Sequence, residues 1–180
     1  MSEPNEPYRI CVVCSGNICR SPMGESVLRS RFAHAGMHEE DVLVDSAGTG
    51  AWHVGGPADR RTVTALTNGG YRSARPHVAR SYDVSWFAHH DLVLAADAGH
   101  LRWLRREAEA EGYSVGPPGS GADVELALLR EFDPEAVEAG TLDVDDPYYG
   151  GAADFEQCLR QVEGAADGVV DYVAGLLAHR

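Results

Sequence analysis

A thiol and a guanidinium stand six positions apart near the start of this chain. Residues 11–22 read CVVCSGNICRSP, with Cys14 and Arg20 at the two ends of the polar part of the run. An arginine fork can hold two oxygens of an oxyanion, and a thiolate facing a bound phosphoryl group is a nucleophile. These residue types at this spacing predict phosphoryl transfer, with Cys14 attacking a group that Arg20 holds.

The residues around this pair predict that the backbone supplies the rest of an anion site. The apolar run over residues 8–13 indicates a buried strand. Gly16 and Asn17 tolerate positive φ and suit a loop. Ser21 is a good helix N-cap and Pro22 suits the first helical position. In a strand–loop–helix unit, loop amides and the helix dipole converge on an anion and stabilise a thiolate, to which Ser21 can donate its hydroxyl.

Length and composition fit one globular domain. The chain has 180 residues, of which 44% are hydrophobic, enough for a core of its own. We expect residues 1–7 to be a flexible tail and residues 8–180 to form the domain. No apolar run approaches the roughly 18 residues that suggest a membrane span, and the polar N-terminal residues do not resemble a secretory signal. We therefore expect no membrane-spanning segment and no secretory signal peptide.

The number and spacing of the cysteines indicate the cellular compartment, and the net charge indicates which partners are unfavourable. Three of the four cysteines crowd into nine positions, and the set is Cys11, Cys14, Cys19 and Cys158. This is no disulfide framework of a small secreted domain, so we expect a reducing cytoplasm. The formal net charge of −13 makes nucleic acid and anionic membranes poor partners, so we expect neither as a partner. The positive potential of a phosphate site must then be local, or the substrate must carry basic residues beside its phosphate.

Strands and helices alternate along the chain. We expect strands over residues 8–13, 42–44, 91–95 and 124–129, and helices over 21–35, 59–68, 98–112 and 154–178. Residues 116–121 are expected to be a flexible insertion and 133–151 a long acidic loop. The alternation predicts the α/β class: a single doubly wound, Rossmann-like domain with a central four-stranded parallel sheet and helices on both faces. Its site should lie at the carboxyl ends of the strands.

The segment CSGNICRSP, residues 14–22, closely resembles the active-site loop of the low-molecular-weight protein tyrosine phosphatases. A bare C-x5-R pattern is weak, but the longer match is specific, and Ser15 replaces the apolar residue or threonine of many members. Other segments also resemble family motifs, namely SAGT at 46–49, Trp52, DRR at 59–61 and DPYYG at 146–150. The resemblance covers nearly the whole domain, and residues 116–121 fit it least well.

The resemblance implies a metal-independent, cofactor-free phosphatase that hydrolyses phosphotyrosine through a phosphocysteine intermediate. Its partners are phosphotyrosine-containing proteins, and inorganic phosphate or other oxyanions bind the loop. It gives catalytic roles to Cys14 as nucleophile, Arg20 as clamp and Asp146 as general acid, a role typically worth about 10²–10⁴-fold. The implied substrate-binding residues are Ser15, Gly16, Asn17, Ile18, Cys19, Ser21, Trp52, His53, Tyr148 and Tyr149.

Two supporting features also follow from the resemblance. Glu25 and His77 are expected to form a polar pair that supports Asn17 and keeps the loop in a strained turn. Cys19 is expected to form a reversible disulfide with Cys14, which would shield the nucleophile from further oxidation.

The sequence also fits other interpretations. Cys11-x-x-Cys14 also fits a redox or zinc motif, whereas the adjacent His89 and His90 are not expected to bind metal. One alternative function is a thioredoxin-coupled arsenate reductase, which needs two further cysteines close together, whereas beyond the loop the chain offers only Cys158. Another is a non-catalytic phosphotyrosine-binding module, which would be expected to lack the nucleophile or the acid.

Overall fold

The computed structural model describes residues 6–72 and 75–180. Of the tail expected at residues 1–7, residues 1–5 lie outside the described part. Within the described ranges, no helix combines the length and apolar character needed to cross a membrane.

A parallel sheet of five strands forms the centre of the described domain, in the order β2-β1-β3-β5-β4. The strands are β1 Tyr8–Cys14, β2 Val42–Gly48, β3 Leu92–Ala95, β4 Val115–Gly116 and β5 Val124–Leu128. The predicted number of four strands was wrong. The additional strand, β4, has two residues, which is too few to show hydrophobic alternation, and only its pairing with β5 reveals it. Its second residue, Gly116, is the first residue of the segment expected to be a flexible insertion.

Five α-helices surround the sheet in the described residues. They are α1 Arg20–His34, α2 Arg60–Asn68, α3 Ala98–Ala110, α4 Pro134–Ala139 and α5 Ala152–Leu177. Short 3-10 turns cover Val84–Ala88 and Leu129–Phe132. The long acidic loop expected over residues 133–151 is therefore interrupted by α4. That helix is too short for a periodic pattern, although Asp133 caps its start and Gly140 ends it with a left-handed φ of 70°.

Side chains of β1 alternate between two hydrophobic cores, one on each face of the sheet. Ile10 and Val12 pack in the core that contains α1 and α5, whereas Cys11 and Val13 pack in the core that contains α3. Helices on both faces confirm the predicted doubly wound architecture. Since β1 lies between β2 and β3, and α1 and α3 leave the sheet on opposite faces, a crevice opens at the carboxyl end of β1.

Candidate active site

In the loop after β1, several backbone carbonyls point away from the centre of the loop and accept hydrogen bonds from neighbouring segments. The carbonyls of Cys14, Ser15 and Ile18 accept hydrogen bonds from the amides of Thr49 at 2.8 Å, Gly50 at 3.0 Å and Asp59 at 2.9 Å. Among residues 6–72 and 75–180, no acceptor binds a backbone N–H of residues 15–20. These six N–H groups at the start of α1 therefore form a cradle that an anion can fill.

Asn17 holds the sharpest turn of this loop. It is the one non-glycine residue with positive φ, at 57°, in the described chain. Its buried amide donates to Ser21 Oγ at 2.8 Å and to Ser46 Oγ at 3.0 Å, and it accepts from the Arg80 amide at 2.9 Å. These bonds compensate for a backbone conformation that usually favours glycine.

The polar pair expected beside Asn17 lies next to it. His77 Nε2 donates to the Asn17 carbonyl at 2.7 Å. Ser46 donates to the Glu25 carboxylate, and Glu25 Oε2 lies 3.9 Å from His77 Nδ1. The turn is thus supported both at its backbone and at its side chain.

Cys14 ends β1 beneath the cradle, with only 3% of its surface exposed. Its Sγ lies 2.9 Å from Ser21 Oγ. Because Asn17 already donates to Ser21 Oγ, the Ser21 proton is free to be donated to the sulfur. The predicted N-cap role of Ser21 was wrong: α1 begins at Arg20, Cys19 is the cap residue and no side chain caps the helix. The Ser21 hydroxyl bonds the sulfur and Asn17 instead.

Arg20 is buried and clamped from outside the loop. Its Nη1 donates to Asp97 Oδ2 at 2.8 Å and to the Val144 carbonyl at 3.1 Å. Burial raises the pKa of the Asp97 carboxyl, but hydrogen bonds from the His100 amide and from Arg20 outweigh it and lower that pKa below its usual value. An ionised Asp97 therefore holds the Arg20 guanidinium in one orientation.

Asp146 lies above this clamp on the exposed loop before α5. Its Oδ2 is 3.6 Å from Arg20 Nη2, and its side chain is 48% exposed. The neighbouring acids, Asp143 and Asp145, make contacts within the protein. Asp143 accepts from the Ala98 amide at 3.0 Å, and Asp145 accepts from Gln161 at 2.9 Å. Of these three acids, Asp146 alone ion-pairs with Arg20.

Aromatic side chains surround the mouth of the cradle. The His53 ring lies against Gly16, where an added Cβ would be 2.8 Å from His53 Cδ2. The His53 and Tyr148 ring centroids are 6.5 Å apart, and Tyr149 meets Tyr148 edge-on at 4.9 Å. Trp52 is 74% exposed, in the loop between β2 and α2. These rings can contact an aromatic group that reaches into the cradle.

The remaining loop residues that the resemblance implies, Ile18 and Cys19, contribute mainly backbone to this site. Ile18 is partly buried against the core that contains α1. Cys19 is 5% exposed, and burial raises the pKa of its thiol to about 12. All four cysteines are free thiols.

Sequence reasoning missed two residues of this site, Asp97 and His100. Asp97 lies at the start of α3 and pairs with Arg20; His100 Nε2 lies 2.8 Å from Ser15 Oγ. The chain has eight histidines and many acids, so composition gives no reason to select this pair. The available signal was an Asp-x-x-His spacing just after a buried strand, which is typical of a helix N-terminus.

The opposite face of β1 excludes the Cys11-x-x-Cys14 metal motif. Residues three apart on a strand point to opposite faces, and the two thiols lie in different cores. Ligand atoms of Cys11, Asp45 and His90 do lie within 4.8 Å of one another. However, Asp45 already ion-pairs with Arg80 at 2.7 Å and accepts a hydrogen bond from the His90 ring at 3.1 Å, so this carboxylate already has partners within the protein.

The fold and site define an α/β protein whose phosphate-binding loop carries a buried thiol. Residues 9–175 match the family model described as low molecular weight phosphotyrosine protein phosphatase. The low molecular weight protein-tyrosine-phosphatase of Streptomyces coelicolor is 50% identical over 163 residues, covering 91% of this chain and 92% of that protein. Low molecular weight protein-tyrosine phosphatase A of Mycobacterium tuberculosis is 39% identical over 176 residues, covering 97% and 96%.

Solved structures agree with these relatives. YfkJ from Bacillus subtilis superposes with a TM-score of 0.80 at 26% identity, covering 95% of this chain and 97% of that one. Primo-1 superposes with a TM-score of 0.76 at 32% identity, covering 91% and 97%. The chain belongs to the low-molecular-weight protein-tyrosine phosphatase family. It is a phosphoric monoester hydrolase of the class that forms a phosphocysteine intermediate and needs no metal.

Proposed function

We propose that this chain removes phosphate from phosphotyrosine in protein substrates, with Cys14 as nucleophile, Arg20 as oxyanion clamp and Asp146 as general acid. One observation carries the assignment: Cys14 Sγ lies 2.9 Å from Ser21 Oγ at the base of a cradle whose amides have no acceptor among the described residues, and the buried Arg20 lies at its far end. A dianionic phosphate supplies the charge that this cradle lacks.

In the first step, the Cys14 thiolate attacks phosphorus while the loop amides and Arg20 bind the non-bridging oxygens. The S–P bond forms and the P–O bond to the phenol breaks. Asp146 donates a proton to the departing phenol oxygen, so the leaving group departs neutral. The Asp146 carboxyl lies 3.6 Å from Arg20, a separation that supports a position beside the phosphate rather than within the cradle.

In the second step, the Asp146 carboxylate takes a proton from water as the water oxygen attacks phosphorus. The S–P bond breaks, inorganic phosphate leaves and the thiolate is restored. The Ser21 hydroxyl, which already bonds Asn17, is available to donate to the restored thiolate. The other loop residues, Ser15, Gly16, Ile18 and Cys19, act through their backbone N–H groups.

The depth of the cradle favours tyrosine over shorter phosphorylated side chains. Cys14 is buried, whereas Trp52 and Tyr149 at the mouth are 74% and 94% exposed. A phenyl ring spans that depth and contacts His53 and Tyr148 on its way. Phosphoserine, with one methylene group, would have to bring its own backbone into the mouth.

The net charge of −13 also bears on partners and compartment. The attraction for phosphate is local to the cradle, and basic residues beside the phosphotyrosine would offset the repulsion from the rest of the surface. Cys14 acts only as a free thiolate, so a reducing compartment such as the cytoplasm suits it. Inorganic phosphate and other oxyanions should bind the same loop.

The decisive test is a pH–rate profile of aryl phosphate hydrolysis without added metal, on wild type, Cys14→Ser and Asp146→Ala. We expect Cys14→Ser to show no turnover while still binding phosphate. Asp146→Ala should lose about two to four orders of magnitude in rate and the basic limb of the profile. Activity that requires metal, or that is indifferent to Asp146, would contradict the assignment. A folded but inactive wild type would instead support a phosphotyrosine-binding module.

Protection of the nucleophile by Cys19 stays a prediction from the family resemblance. Peroxide treatment followed by mass spectrometry should yield a Cys14–Cys19 linkage. A Cys14 sulfinic acid without that linkage would sink the idea.

A further inference from the structure

His100 lies in the first turn of α3, only 6% exposed, yet both nitrogens of its ring are in contact with the site. Its Nε2 lies 2.8 Å from Ser15 Oγ, and its Nδ1 lies 3.2 Å from the Asp97 amide nitrogen. Ser15 is the first residue after the nucleophile. Asp97 holds Arg20, at the other end of the same loop. A single buried ring therefore connects the two ends of the cradle.

The direction of these hydrogen bonds follows from the donors available. The Asp97 backbone N–H can only donate, so His100 Nδ1 must accept. A neutral imidazole carries one proton, which then lies on Nε2 and is donated to Ser15 Oγ. Burial lowers the pKa of His100 to about 4 despite the nearby Asp97 carboxylate. The ring is thus neutral at neutral pH and has the tautomer that both contacts need.

Asp97 is bound reciprocally. Its Oδ1 accepts from the His100 amide at 3.0 Å, while its Oδ2 accepts from Arg20 at 2.8 Å. The cap of α3 and the clamp on Arg20 share one carboxylate, so movement of the cap also moves the group that orients the guanidinium. The contact with Ser15 acts on the cradle at its start, and the contact with Asp97 acts at its end.

We propose that His100 is a positioning residue for phosphate binding, which fixes Ser15 by donation from Nε2 and fixes Arg20 through the Asp97 cap. It touches neither the phosphate nor the leaving group. This inference rests on the proposed function, because it assigns a role in setting the cradle that Cys14 and Arg20 use. It also gives Ser15 a side-chain role: its hydroxyl receives the bond by which α3 holds the loop.

Substitutions separate the two halves of this role. In His100→Gln, the side-chain amide nitrogen can replace Nε2 and donate to Ser15. In His100→Asn, the side-chain oxygen can replace Nδ1 and accept from the Asp97 amide. His100→Leu loses both contacts at similar volume. Ser15→Ala removes the same bond from the opposite side.

The experiment measures kcat, KM and the inhibition constant of inorganic phosphate for these four variants and for the double variant Ser15→Ala/His100→Leu. One net hydrogen bond predicts that Ser15→Ala and His100→Leu each weaken phosphate binding and kcat/KM by about two- to tenfold. His100→Gln should recover most of the loss at Ser15. Because the single changes break a shared bond, the double variant should be little worse than His100→Leu.

Three results would overturn the proposal. They are wild-type kinetics in His100→Leu, losses that multiply fully in the double variant, and a loss of unfolding free energy in His100→Leu with unchanged kcat/KM of the folded enzyme. Calorimetric titration of inorganic phosphate into the same variants in a Cys14→Ser background keeps the two proposals apart. That titration reports on the cradle without the covalent step. Turnover by Cys14→Ser would refute the nucleophile and leave the coupling between Ser15 and His100 measurable.

Discussion

The two sides of the active site are built in opposite ways. The loop of residues 14–21 that forms the cradle is buried or partly buried throughout. Its turn at Asn17 makes hydrogen bonds to four other residues through side chain and backbone. The acid loop of residues 143–150 is anchored by the buried Val144 and Pro147, but the side chains that line the mouth are exposed. Asp146 is held by the Tyr148 amide at 3.2 Å, and Tyr149 is 94% exposed. The cradle is fixed by contacts with the core, whereas the exposed side chains at the mouth of the site make few contacts.

This difference follows from what each side does. Amides that stabilise charge on the phosphate must be oriented before the substrate arrives, since reorganisation during the reaction would raise the barrier. In the proposed function, the proton donor Asp146 and the aromatic rings instead meet leaving groups of varied shape. Substitutions in the cradle should therefore affect both folding and catalysis, whereas substitutions of the exposed acid-loop residues Asp146, Tyr148 and Tyr149 should affect catalysis or specificity alone.

The largest effect that separates the two sides is expected at Asp146, the proposed general acid. Asp146→Asn should lower kcat for phenyl phosphate by about 10²–10⁴-fold with no loss of stability. The loss should shrink for aryl phosphates whose phenols are more acidic, because those leaving groups need less protonation. Asp145→Asn is the matched control, since that carboxylate is bonded to Gln161. An equal loss for all leaving groups would argue against proton donation by Asp146.

Substitution of Asn17 in the cradle should instead lower the free energy of unfolding. Asn17→Gly and Asn17→Ala both leave the buried partners of the amide unpaired, and we expect a loss of about 2–4 kcal/mol in unfolding free energy. Alanine should be about 1 kcal/mol worse than glycine, because the positive φ of 57° strains any residue with a Cβ. Urea unfolding of both variants measures this difference. Equal stabilities would show that the turn relaxes.

The buried His100 predicts how the cradle side responds to acid. Its pKa is lowered from 6.5 to about 4, mainly by burial and also by Arg20, against the opposing charges of Asp97, Asp146 and Asp143. Between these values the unfolded chain binds a proton that the folded chain does not, so stability falls as pH falls from 6.5 to 4. The change is at most about 3 kcal/mol.

Urea unfolding between pH 7 and pH 4 tests this prediction by comparing wild type with His100→Gln. The variant lacks the titrating ring, so its unfolding free energy should fall less steeply across the window. Parallel curves would mean that another group dominates the acid response.

The smallest effects are expected at the mouth. Tyr149→Ala should change unfolding free energy by no more than about 0.5 kcal/mol, because the side chain is exposed. Tyr148→Ala should raise KM more than Tyr149→Ala does. The Tyr148 ring lies near His53 and has the Arg61 guanidinium 5.8 Å from its centre. KM for small aryl phosphates and for a phosphotyrosine peptide measures the contrast. Identical KM changes in both variants would place the substrate on a different part of the mouth.

Local signals explain how much of this protein could be predicted from its sequence. The apolar run before Cys14 predicts β1, and the alternation of strand-like and helix-like segments predicts the helices and the doubly wound class. Burial requires these hydrophobic patterns in any chain that folds into such strands and helices. The two-residue β4 and the six-residue α4 were missed because elements that short carry no period. Ser21 was misassigned as a cap because its type fits two roles.

Sequence by itself determined the chemistry near Cys14, since the cradle is one contiguous segment whose residue types fix its backbone and its charge. Only the tertiary structure decided which distant groups complete it. Asp97 and His100 meet the loop from α3 because β3 lies beside β1 and delivers α3 to the same end of the sheet. That adjacency comes from the strand order. Strand order depends on contacts between residues far apart in the chain, so no short stretch of sequence predicts it.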